Sequence, residues 1–208
     1  MRKIIVSEFV TLDGVMEAPG GEPGHPHSGW VRDFMGPEQL RYKLDEVLEA
    51  ESLLIGRITY ESFAAAWPQR SQPGHGADPD LKRVAEQRSE MQQFADKMNA
   101  MPKHVASTTL RDPQWNNSHV IGGDVAGAIA RLQQQEGGPM LVIGSRTLVH
   151  TLMAHDLVDE YRIMIFPVLL GSGRRLFPDS PDKTVLRLTD SRVFPSGVVV
   201  HSYCRAGG

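Results

Sequence analysis

Residues 139–152, Pro139-Met140-Leu141-Val142-Ile143-Gly144-Ser145-Arg146-Thr147-Leu148-Val149-His150-Thr151-Leu152, decide the fold. The apolar run 139–143 is bounded by Gly137-Gly138 and Gly144-Ser145. A short apolar run between such breakers reads as a buried strand. From 146 to 154 the spacing of Leu148, Val149 and Leu152 predicts a helix. Only two small residues separate strand from helix, and that is the repeating unit of an α/β fold.

The same unit recurs outward. Residues 52–55, SLLI, end at Gly56-Arg57, and Thr59 to Trp67 reads as a helix with Tyr60 and Phe63 inward. Residues 103–107 and 118–121 read as strands, and Asp124 caps a helix carrying Val125, Ile129 and Leu132. Residues 3–10, KIIVSEFV, form the first strand, and Thr11-Leu12-Asp13-Gly14 a turn. Residues 18–37 hold five glycines and four prolines and read as a long loop. Pro37 opens a helix with Leu40, Leu44, Val47 and Leu48 on one face. Residues 68–79 read as a polar loop, Asp78-Pro79 as a cap, and residues 80–101 as an amphipathic helix. A strand over 160–169 and a hairpin of 183–193 with 197–204 complete the chain. The alternation implies a mostly parallel sheet covered on both faces, and the hairpin an antiparallel edge. No linker divides the 208 residues, so a single domain over 1–208 is expected.

Composition narrows the function. Twenty-two Lys+Arg stand against 25 Asp+Glu, a formal net charge of -3, which disfavours nucleic acid as a partner. No apolar run approaches the roughly 20 residues of a membrane helix, so no membrane partner is expected. The lone Cys204 fits a reducing cytoplasm, the expected location, and reads as an inert core thiol. His25 and His27 lie two apart in a loop and read as solvated, so no metal is predicted.

Ligands of open α/β sheets sit beyond the carboxyl ends of the strands. Three segments there combine small or hydroxyl residues with a following turn or helix: Ile55-Gly56-Arg57, Ala106-Ser107-Thr108 and Ile143-Gly144-Ser145-Arg146-Thr147. Free N–H groups at a helix start, with Ser and Thr hydroxyls, suit phosphate. Three such loops suit a ligand with several phosphates. The plain alternative is that glycines after strands only turn the chain. There is no G-x-G-x-x-G and no P-loop.

These residues resemble a family. Leu53-Leu54-Ile55-Gly56 followed by Arg57-Ile58-Thr59-Tyr60-Glu61-Ser62 resembles the G-R-x-T-[WY]-E-S stretch of dihydrofolate reductase. Thr11-Leu12-Asp13-Gly14 resembles the [ST]-L-D-G stretch of the pyrimidine reductase domain of riboflavin-biosynthesis proteins. Val158-Asp159-Glu160-Tyr161, Phe166 to Gly173, and Leu176-Phe177 are similar to that domain's V-D-E-L…P-x-L-L-G-x-G…L-F segment. The resemblance implies a dihydrofolate reductase-like three-layer α/β fold: a mixed, mostly parallel sheet of about eight strands, flanking helices and a C-terminal antiparallel hairpin. It also implies NADPH as hydride donor and a homodimer. By position, Arg57 and Thr59 fall on the adenosine-phosphate and pyrophosphate side, and Ser107 and Thr108 on the 2′-phosphate. Gly144, Ser145, Arg146 and Thr147 fall on the pyrophosphate, with Gly56 beside them and Gly14 bordering the nicotinamide.

Asp13 and Glu38 are the candidate catalytic acids. Asp13 is equally suited to bond its own turn, and Glu38 to complement the helix dipole. Trp30 and Phe166 are the candidate substrate-binding residues, Trp30 stacking on a flat ring or merely closing its loop. Dihydrofolate reductase proper carries a carboxylate in its first long helix. Here that place falls near Leu40, with Glu38 the nearest acid. The expected function is an NADPH-dependent oxidoreductase acting on a C=N or C=O bond of a small heterocyclic substrate, resembling the ribosylaminopyrimidine of riboflavin biosynthesis. Dihydrofolate reductase proper and a non-catalytic NADP(H)-binding protein are the alternatives.

Overall fold

A computed structural model of the chain describes residues 1–71, 81–179 and 183–206, with the side chains of 81–88 left aside. The expected cap at Asp78-Pro79 and most of the expected 68–79 loop lie outside the described residues. Eight strands and five helices follow in order: β1 (Ile4–Thr11), α1 (Pro37–Glu49), β2 (Ser52–Gly56), α2 (Arg57–Arg70), α3 (Leu81–Ala100), β3 (Lys103–Ala106), β4 (Ser118–Ile121), α4 (Val125–Gln133), β5 (Met140–Val142), α5 (Arg146–Ala154), β6 (Glu160–Phe166), β7 (Leu186–Val193) and β8 (Val199–Arg205).

The strands form one sheet in the order β4-β3-β2-β5-β1-β6-β8-β7. Every pairing from β4 to β6 is parallel, and β6–β8 and β8–β7 are antiparallel. β1 lies at the centre and is buried on both faces almost throughout, which is why it reads as a continuous β-rich run rather than an alternation. On one face Ile5, Leu53, Ile55 and Leu141 pack against Val47 of α1 and Met98 of α3. On the other Ile4, Val6, Leu54 and Val142 pack against Ile129 of α4 and Val149 and Leu152 of α5. Each such side chain contributes about 1.5–3 kcal/mol by leaving water. The 18–37 loop closes a third cluster, where Trp30 and Val31 meet Phe166, Phe194 and Val200.

Some boundaries differ from expectation. α2 begins directly after Gly56 and continues through Pro68 to Arg70, three residues into the expected loop. β6 stops at Phe166 because Pro167 cannot donate to the ladder. Cys204 is not a core thiol: it is only partly buried, and its sulfur accepts from Arg187 Nη2 at 3.0 Å.

Charged groups are buried at two places inside the layers. Lys103 is fully buried, and its Nζ donates to the carbonyls of Asn99, Met101 and Asn116 at 2.8, 2.8 and 2.9 Å. Burial lowers its pKa to about 8. Between β1 and α1, Lys43 donates to Ser7 Oγ at 2.7 Å and pairs with Glu46 at 2.5 Å. Ser7 Oγ itself donates to Glu46 Oε1 at 2.9 Å.

Candidate active site

The sheet order brings the carboxyl ends of β3, β2, β5 and β1 side by side. Leu53 pairs with Leu141, so continuing that register sets Gly56 level with Gly144. Gly144 and Ser145 both have a φ of +63°, two successive left-handed residues that swing the chain from β5 into α5. Gly144 donates its N–H inward to Glu8 Oε2 at 2.9 Å. Ser145 Oγ accepts from the Gly56 N–H at 2.8 Å and bonds Thr59 Oγ1 at 2.9 Å. A Cβ on Gly144 would lie 3.1 Å from Thr59 Oγ1. Gly56, Thr59 and Ser145 thus form one hydrogen-bonded cradle, with Gly144 packed closely against Thr59.

The cradle joins two helix starts. The N-caps of α2 and α5 are Gly56, which has no side chain to cap with, and Ser145, whose side chain does not cap its own helix. The first-turn N–H groups of a helix have no intrahelical partner and carry its positive end. α4 is the contrast: Asp124 takes the Gly127 N–H at 2.9 Å, and its carboxylate repels an anion there. The starts of α2 and α5, tied by Ser145, carry no acidic residue in their first turns, an arrangement whose chemistry suits negative charge.

The other expected cofactor residues lie in turns and helix starts at the same end of the sheet. Thr147 is exposed in the first turn of α5, and Arg146 Nε donates to the Arg175 carbonyl at 2.6 Å. Arg57 begins α2, and its guanidinium pairs with Glu61 at 2.8 Å on the surface. Ser107 Oγ accepts from the N–H groups of Thr109 and Leu110 at 3.1 and 2.9 Å, which shapes the turn after β3, and Thr108 is exposed there. Gly14 has a φ of +82° and closes the turn after β1 by donating to the Thr11 carbonyl.

The two expected acids are placed otherwise. Asp13 accepts from Thr11 Oγ1 at 2.5 Å, from Leu170 N–H at 3.3 Å and from Gly171 N–H at 2.8 Å. The Thr11 bond above all holds its carboxyl below the usual aspartate range. It clasps the loops after β1 and β6. Asp13→Asn is expected to speed amide hydrogen exchange at Leu170 and Gly171 while β1 exchange stays unchanged. Unaltered exchange at Leu170 and Gly171 would deny the clasp. Glu38 is exposed in the first turn of α1. The buried position beside it belongs to Gln39, whose amide accepts from Gly36 N–H at 3.1 Å and donates to the Phe34 carbonyl at 3.0 Å and to Ser196 Oγ.

Trp30 and Phe166 are brought together, edge to face at 5.2 Å between centroids, and both are buried. Trp30 Nε1 donates to the Glu17 carbonyl at 2.8 Å. The pair anchors the 18–37 loop rather than presenting an open stacking face. Sequence reasoning missed Glu8 and the Ser7–Lys43–Glu46 cluster. The available signal was polar residues inside the run KIIVSEFV, which an all-apolar central strand would not carry.

Among the described residues no helix is long and apolar enough to cross a membrane. A sequence profile of the RibD C-terminal domain matches residues 2–200. The Bacillus subtilis (strain 168) protein YyaP, itself uncharacterised, is 27% identical over 202 residues, covering 95% of this chain and 92% of its own. The fold is shared with a pyrimidine reductase-like protein from Corynebacterium diphtheriae (TM-score 0.61, 12% identity, covering 100% of this chain and 93% of that one). It is shared also with dihydrofolate reductase from Enterococcus faecalis complexed with NADP(H) and RAB-propyl (TM-score 0.58, 14% identity, 99% and 97% covered). The architecture is therefore dihydrofolate reductase-like, with a cradle suited to anions at the carboxyl ends of its strands. The chain belongs to the RibD C-terminal domain family, a reductase-type family.

Proposed function

We propose that the chain, as a single domain, is an NADPH-dependent reductase that delivers hydride to a C=N or C=O bond of a small heterocyclic, ribosylaminopyrimidine-like substrate. The observation that supports this best is the pair of helix starts without side-chain caps, joined by Ser145 between Gly56 and Thr59. The tight Gly144 backbone, where a Cβ would crowd Thr59, fits close approach of a diphosphate. Gly144, Ser145, Arg146 and Thr147 hold the diphosphate; Arg57, Ser107 and Thr108 take the 2′-phosphate side; Gly14 borders the nicotinamide. The nicotinamide supplies the hydride, and the protein supplies binding, orientation and exclusion of water. Trp30 and Phe166, both buried, hold the 18–37 loop in place on the substrate side without presenting a face to the ligand. Exposed Leu188 and Val193 on edge strand β7 suit a second copy of the chain, giving a homodimer. The buried Gln39 and exposed Glu38 argue against folate reduction.

A second reading, nucleotide binding without turnover, is favoured by Asp13 being committed to three donors and Glu38 to solvent. Thermal unfolding with NADPH, against NADH, tests both. Ligand at 100 times its Kd adds about 2.7 kcal/mol, a rise of roughly 5–10 °C for a chain of this size. A larger shift with NADPH than NADH, reduced by Arg57→Ala, supports the cofactor assignment. NADPH oxidation with an aminopyrimidine or carbonyl compound then separates reductase from binder. No shift with either nucleotide sinks both readings.

A further inference from the structure

Glu8 lies mid-way along β1, on the face shared with Val6 and Val10, and is 3% exposed. Its Oε2 accepts the Gly144 N–H. Its Oε1 is buried and has no hydrogen-bond partner among the described residues. A bare, buried carboxylate oxygen is far costlier than the same oxygen carrying a proton. Burial above all pushes the Glu8 carboxyl well above the usual glutamate range, against the Gly144 N–H and the Lys43 charge, with Glu46 adding to the rise. Of the charged groups on the flanking elements, Lys43 and Glu46 on α1 act on Glu8; the others include Arg162 and Glu160 on β6, Arg146 and His150 on α5, and Arg175 in the segment bridged to Val15. Lys43 is matched by Glu46, Arg162 by Glu49 and Glu160, and Arg146 turns to the Arg175 carbonyl. None of them bonds Glu8.

Gly144 is also the first residue of the anion cradle. Glu8 draws its N–H inward, which sets the left-handed turn from beneath. The following N–H groups of α5 are left for a ligand. An anion on that turn and an ionised carboxylate behind it would repel each other through a poorly screened interior.

Resting on the nucleotide reading above, we infer that Glu8 is a positioning residue for a diphosphate-bearing ligand: one oxygen pins Gly144, and the turn accepts the anion while the other oxygen carries a proton. Proton and ligand are then linked with the same sign. Ligand-bound protein holds the Glu8 proton more tightly, and affinity falls as pH rises through the carboxyl's titration.

The test is calorimetric binding of NADPH, and separately of inorganic pyrophosphate, from pH 6 to 10 for the wild type, Glu8→Gln and Glu8→Ala. Glu8→Gln keeps an oxygen for the Gly144 N–H and never ionises. Wild-type affinity should fall by on the order of ten-fold more than that of Glu8→Gln across the range. Glu8→Ala, lacking the acceptor, should bind more weakly at every pH. Parallel pH profiles for wild type and Glu8→Gln overturn the role of Glu8 and leave the cofactor reading standing. No binding by either protein at any pH removes the cofactor reading, and this role with it. Should Glu8→Gln fail to fold, the carboxyl ¹³C resonance of wild-type Glu8 decides. It should titrate at higher pH with NADPH bound, and identical titrations with and without NADPH overturn the inference.

Discussion

Glu46→Ala is expected to destabilise the protein by about 3–5 kcal/mol, the scale for breaking a buried ion pair from one side, and to lower Tm by roughly 10 °C. Glu46 is 3% exposed and meets three groups: Ser7 Oγ, the Lys43 ammonium at 2.5 Å and, at 3.7 Å, the Arg162 guanidinium. Arg162 keeps Glu49 and Glu160 at 2.9 and 2.7 Å after the change. Lys43 keeps only the Ser7 hydroxyl and the Phe9 ring, 5.2 Å from its Nζ. A buried ammonium is thereby left without an anion. The triple variant Ser7→Ala/Lys43→Met/Glu46→Leu removes every member of the trio together. Apolar replacement of a whole buried pair is often neutral or stabilising, within about 1–4 kcal/mol. It should recover most of the loss in urea titrations with unchanged m-value. A loss under about 1 kcal/mol for Glu46→Ala would mean that water screens the pair as it does on a surface.

This cluster also shows where sequence reading stops. The order of strands and helices was legible because apolar periodicity and Gly/Pro breaks are local signals. Glycines after β2 and β5 pointed to a ligand end because strand polarity says where ligands sit. What was not legible depends on which side chains meet across the sheet. Ser7 and Glu8 are neighbours in sequence yet face opposite layers, one toward α1 and the other toward the Gly144 turn. Glu38 and Gln39 are likewise adjacent, and a helical step of about 100° sends one to solvent and the other into the loop packing. Asp13 carried two readings from sequence. Its partners Leu170 and Gly171 are more than 150 residues away, so only the folded chain could assign it as a clasp.

The second large effect falls on the cradle. Gly144→Ala is expected to cost about 2–5 kcal/mol and, on the proposed function, to abolish the thermal shift with NADPH. Two separable causes contribute. A left-handed φ penalises any Cβ by about 1–2 kcal/mol. The new methyl would also sit 3.1 Å from Thr59 Oγ1 and 3.3 Å from Thr59 Cγ2, an overpacking that costs about 1–3 kcal/mol where neighbours cannot move. Thr59 cannot retreat freely, because its hydroxyl is tied to Ser145 Oγ, which also holds the Gly56 N–H. Gly123 isolates the first cause: its φ is +67°, and an added Cβ would meet nothing within 4 Å. Gly123→Ala should therefore lose only the conformational share. Conversely, adding Thr59→Ala to Gly144→Ala removes both crowded atoms and leaves Thr59 Cβ at an ordinary 3.8 Å. The double variant should regain the packing share of stability without regaining nucleotide binding, since the Ser145 hydroxyl then lacks the partner that orients it. Equal losses for Gly144→Ala and Gly123→Ala would show that the contact with Thr59 is slack. The close approach on which the cradle rests would then have no energetic basis.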